Sequence, residues 1–190
     1  MAGLGRVVIC NCKSLNGQDR SFARALKLSL KRSVNLHDNS RGVSKKMGAN
    51  EYQLWFRSDK FEIVQGEDAA TNPQCYGKDL ANWLRNALVA KGYQPEEVIA
   101  EDWGWLVMCS RKPFSLWVGC TNVRDLDATK PDDDIPLGNE VVWSCMVIAE
   151  QSFMSRILGR ADTASALAKL FGHVQALLNE EAKVTFVEQP

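Results

Sequence analysis

The sequence predicts an α+β fold: a two-layer sandwich with a mainly antiparallel sheet, two helices on one face, and the element order ββ-α-β-β-β-α-β. Three observations predict it. Short runs rich in β-branched and aromatic residues recur in closely spaced pairs, as hairpins require. Two long stretches carry apolar residues at steps of three and four, the pattern of helices packed along one side. Strands do not alternate regularly with helices, which argues against a parallel βαβ sheet.

Each element follows from its own residues. "YQLWFR" (52–57) and "FEIVQ" (61–65) flank "SDK" and read as a hairpin, with Tyr52, Leu54 and Phe56 on one face. "GEDAATNPQ" (66–74) has loop composition. "YGKDLANWLRNALVAKGY" (76–93) is a helix whose stripe is Leu80, Trp83, Leu84, Ala87 and Leu88. Asp79 suits its positive N-terminal end, and Lys91-Gly92 is a stop signal. "VIAEDWGWLVMCS" (98–110) reads as one central strand that starts at a solvent-facing edge, with Trp103 and Trp105 on the same face. "RKP" (111–113) connects it tightly to "FSLWVGC" (114–120), which returns as its hairpin partner. "TNVRDLDATKPDDDIPLGN" (121–139) is a long acidic loop, and "EVVWSCMVIAE" (140–150) is the fifth strand. Residues 151–162 fit a short helix or a loop equally. In "DTASALAKLFGHVQALLNE" (162–180), Leu167, Leu170, Phe171, Val174, Leu177 and Leu178 form a wide apolar stripe, with Asp162 or Thr163 as N-cap. "KVTFVE" (183–188) closes the sheet.

The charge divides the chain in two. Residues 1–46 hold ten Lys/Arg against two Asp/Glu, a net of +8, and residues 47–190 hold thirteen against twenty-one, a net of −8. The first 46 residues have no Trp, Tyr or Glu and are expected to form a disordered extension to a single acidic domain, 47–190. Three origins fit them. Met47 is the true initiator and the upstream stretch is leader; or "RSFARALKLSLKRS" (20–33), with Phe22, Leu26 and Leu30 at four-residue steps, is a targeting or membrane-surface segment; or the stretch is a basic arm for nucleic acid or for the protein's own acidic body. A 144-residue body buries roughly two thirds of its unfolded-state surface, enough for a stable core. No run of about 18 apolar residues occurs, so no membrane span is expected.

Each candidate site also has a plainer structural role. Glu101–Asp102 beside tryptophans suggests a general acid or base of raised pKa. Adjacent strand residues point to opposite faces, so two acids at the solvent end of a strand are the plainer expectation. Six tryptophans is a high count, and Trp55 and Trp117 fall opposite the aliphatic faces of their strands. They can line a sheet face that no helix covers, with Gly104 and Gly119 leaving room for a ligand, or simply belong to a Trp-rich core. The loop of Asp125, Asp127, Asp132, Asp133 and Asp134 lacks the glycine of a calcium loop and is interrupted by Pro131, leaving an acidic surface able to steer a basic partner.

Six cysteines are present, and those in strand-like runs are expected to be buried small hydrophobes in a reducing cytosol. Cys10 and Cys12 with His37 match no zinc spacing. Cys75 precedes a helix N-terminus, which stabilises a thiolate, but no partner base accompanies it. His173 falls on the flank of the last helix. No nucleotide-binding, metalloprotease or nucleophile-elbow motif occurs.

The expected function is a non-enzymatic cytoplasmic protein-binding module of immunity or inhibitor type that docks a basic protein partner. The likeness to toxin-neutralising proteins is one of size and charge. No cofactor or metal is expected, no catalytic residue is singled out, and nucleic acid enters only through residues 1–46. The binding residues are Trp55, Glu101, Asp102, Trp103, Trp117, Asp132, Asp133 and Asp134. The alternative is a small-molecule-binding or enzymatic domain with a pocket among Trp55, Trp103, Trp117 and Trp143 and Glu101 or Asp102 at its mouth.

Overall fold

The computed structural model describes residues 52–124, 134–151 and 162–190. The predicted extension 1–46, most of the acidic loop including Asp125, Asp127, Asp132 and Asp133, and most of the ambiguous stretch 151–162 lie outside the described residues. What is described is a six-stranded, wholly antiparallel sheet with two helices on one face. The strands are β1 (Gln53–Ser58), β2 (Ile99–Glu101), β3 (Gly104–Ser110), β4 (Ser115–Asn122), β5 (Val142–Glu150) and β6 (Val184–Phe186), in the spatial order β2-β3-β4-β5-β1-β6. The helices are α1 (Lys78–Ala90) and α2 (Thr163–Glu180), with a short 3-10 turn over Glu67–Ala70.

The helix-side core follows from period-two and period-3.6 patterns meeting. Leu54 and Phe56 of β1, Trp105 and Val107 of β3, Leu116, Val118 and Cys120 of β4, and Trp143, Cys145 and Val147 of β5 pack against Leu80, Leu84 and Leu88 of α1 and Leu170, Val174 and Leu178 of α2. Asp162 caps α2: its carboxylate accepts the Ser165 N–H at 3.0 Å. At the end of α1, the Gly92 N–H donates to the Val89 carbonyl and the Tyr93 N–H to the Leu88 carbonyl. Gly92 takes φ 88° to close this Schellman turn, and Tyr93 and Leu88 then share the core. His173 sits on the flank of α2, with Nδ1 3.2 Å from the Tyr93 hydroxyl, so it ties the two helical segments together.

Two element expectations are corrected. Residues 61–65 form no strand. Asp79 accepts the Glu62 N–H and Glu67 accepts the Val64 N–H, so these donors go to side chains and not to a ladder. Phe61 is buried edge-on against Trp143 and Trp83, and β1 pairs instead with β5 and β6. Residues 98–110 are not one strand. Glu101 pairs with Gly104, so Asp102 and Trp103 are the two loop residues of a tight hairpin between β2 and β3. Gly104 takes φ 145°, and a Cβ there would lie 2.6 Å from the Cys120 carbonyl oxygen.

Candidate functional site

The turn at "EDWGW" sends its two tryptophans to opposite sides of the sheet. Trp105 enters the helix-side core, whereas Trp103 folds over the second face. The shared face expected for this pair is therefore wrong, because the alternation that would impose it is broken by the loop. On the second face Trp103 stacks on Trp117, with centroids 5.6 Å apart. The room expected beside Gly119 is filled by this ring: a Cβ on Gly119 would lie 2.7 Å from it. Trp143 is fully buried on the helix side, its indole N–H donating to the Ser58 carbonyl at 3.4 Å. Trp55 is half-buried on the second face, opposite Ser144. The four tryptophans of the imagined pocket thus lie on two sides of one sheet and line no common cavity.

What the fold does bring together is an acidic end of the sheet. The β2–β3 turn, the last residues of β4, the first of β5 and the loop preceding α1 all meet there. Glu101 closes β2, Asp102 lies in the turn, and the Asp102 carbonyl accepts the Asn72 N–H at 3.1 Å. Both acids are half-buried, and Asp134 is exposed. The connection carrying Asp132 and Asp133 leaves from β4 and returns to β5 at this same end, although those two residues lie outside the described ones.

The loop before α1 is fixed by side chains that composition did not single out. Glu67 is 6% exposed and accepts N–H bonds from Gly77 at 2.8 Å, Val64 at 3.2 Å and Lys78 at 3.5 Å. Burial pushes its carboxyl above the ordinary 4.5, and these N–H groups and the Lys78 charge pull it partly back. Asn122 accepts the Tyr76 N–H at 2.9 Å and donates to the Gln74 carbonyl at 3.2 Å. Gln74, the one described non-glycine residue with positive φ (59°), has its N–H held by Asp68 at 2.8 Å. Arg124 donates to the Pro73 carbonyl. Beside this loop lies an open cleft of about 320 Å³, walled by Gln74, Tyr76, Asn122, Arg124, Asp134 and Glu140. The "TNPQ" run marked a turn, but nothing in it showed that Gln74 would take a left-handed conformation.

The described thiols offer little chemistry. Cys75, Cys109, Cys120 and Cys145 are buried and form no disulfide with one another. Burial pushes the Cys109 thiol up to about 12, and burial together with Cys145 opposite raises that of Cys120. Cys75 lies in the apolar cluster of the second face and not in an electropositive cleft. Among the described residues no group of three His, Cys, Asp or Glu side chains could hold a metal ion, and no helix is long and apolar enough to cross a membrane. No protein-family model, curated protein or solved structure compared with the chain matches it.

Proposed function

We propose that the acidic domain is a non-enzymatic protein-binding module, of the immunity or inhibitor kind, that docks a basic protein partner on the acidic end of its sheet. The observation that carries this is the open cleft walled by Asp134 and Glu140, with Asp102 in the β2–β3 turn at the same end of the sheet. The acidic excess of the body favours a cationic partner at close range. Five of the body's cations are engaged elsewhere. Lys60, Arg85, Lys91, Arg111 and Lys183 pair with Glu181, Glu97, Glu180, Glu96 and Asp59, and none of these ten residues lies in a strand. We infer the cytoplasm as its compartment, in keeping with the four buried thiols among the described residues.

The test is charge reversal in the full chain. Asp102→Lys with Asp134→Lys should abolish co-purification of a basic polypeptide from the native source while the fold is kept. A basic polypeptide retained at the wild-type level, or no such polypeptide with the wild-type chain, would count against the proposal.

A further inference from the structure

The second face of the sheet is apolar, and no described helix lies on it. Ile99, Leu106, Met108, Trp117, Met146 and Ile148 form its floor, with Trp103 laid over Gly119. Both helices pack on the other side, through the cores of β3, β4 and β5. The face is nonetheless closed to solvent: Leu106 is 0%, Trp117 1% and Met108 2% exposed. Neither described helix accounts for that closure, because both pack on the opposite side.

We propose that residues 20–33 of the same chain cover this face. Three features fit them to it. Phe22, Leu26 and Leu30 recur at four-residue steps, so a helix over them would carry all three on one side across about 12 Å. The patch crosses four strands, β2 to β5, or about 14 Å. The segment carries Arg20, Arg24, Lys27, Lys31 and Arg32 and no acid, while strand alternation puts Glu101 of β2 and Glu150 of β5 on this face at its two ends. Finally, the chain enters the sheet at Gln53, directly opposite Met146 of the patch. The twenty residues between 33 and 53 reach up to roughly 65 Å, far more than the distance needed. The +8 of residues 1–46 would then sit against the −8 of the body.

The experiment is peroxide oxidation of Met108 and Met146 in the full chain, followed by mass spectrometry. Both should be protected in the wild type. In Phe22→Glu/Leu26→Glu/Leu30→Glu, both should oxidise about tenfold faster, as exposed thioethers do, with Cys120 and Cys145 still closed to a thiol reagent. Equal protection in the variant, or rapid oxidation in the wild type, would overturn the proposal. Should the variant open the core thiols too, carbodiimide cross-linking of the wild type decides. Links within one chain from Lys27 or Lys31 to Glu101 or Glu150 support it. Links only between chains, only to Asp134 or Glu140, or none from this segment overturn it.

Discussion

Trp103 stacks on Trp117 with ring planes 29° from parallel, and the ring of Trp103 takes the space that a side chain at residue 119 would need. Gly119 is therefore a packing requirement of the second face. A Cβ there would also come within 3.0 Å of Met146. Gly119→Ala should cost about 1–3 kcal/mol through displacement of Trp103. The check is a urea midpoint lowered at unchanged slope, and an unchanged midpoint would show that the indole has room to move.

Gly104 and Gly92 both have positive φ, but only one is crowded. At Gly104 a Cβ would meet the Cys120 carbonyl at 2.6 Å and Thr121 at 2.8 Å, whereas Gly92 has nothing within 4 Å. Gly92→Ala should cost about 1 kcal/mol, from backbone strain alone. Gly104→Ala should cost at least about 2–3 kcal/mol, because it adds a clash with backbone that cannot yield. Thermal unfolding of the two variants side by side checks the difference.

Trp105 and Trp143 are both buried in the helix-side core, yet their indole N–H groups differ. That of Trp143 reaches Ser58, and that of Trp105 finds no acceptor among the described residues, although the Lys78 ammonium lies 5.2 Å from its ring. Trp105→Phe removes an unsatisfied donor and should be milder than Trp143→Phe by about 1 kcal/mol. Trp105→Ala should still cost about 3–5 kcal/mol, because the ring fills the core. Denaturant titration of the three variants measures both comparisons.

Glu67 links the loop before α1 to pH. Its folded-state pKa is raised, so its contribution to stability is fully present below the unfolded value of about 4.5 and is lost as pH rises through the folded value. Glu67→Gln carries no such titration. Its stability relative to the wild type should therefore improve as pH is raised from below 4.5 through the window above it. Unfolding midpoints for both proteins at several pH values test the sign, and a relative stability that falls with rising pH would contradict it.

The parts of the fold legible in the sequence are those in which one period dominates. The α2 stripe and its Asp162 cap, the α1 stripe and its Gly92 stop, and the β4 and β5 runs all follow from spacing and composition. The errors came where tertiary contacts override the pattern. "FEIVQ" has strand composition, but carboxylates three and seventeen residues away take its N–H groups. "EDWGW" preserves an alternating pattern through a two-residue turn, and only the φ of Gly104 reveals the reversal. The acids singled out from sequence do fall partly together, Glu101 and Asp102 at the same sheet end as Asp134. The loop that builds the adjacent cleft was hidden because its organisers, Glu67 and Asn122, are ordinary polar residues until they are buried.

Native mass spectrometry of the untagged chain, purified gently from its own source, tests the binding function most directly. The expected result is a complex with one basic polypeptide that dissociates as ionic strength is raised, since the attraction runs through partly exposed carboxylates. A chain that flies alone at its own mass, or carries a bound small molecule in place of a polypeptide, would contradict it.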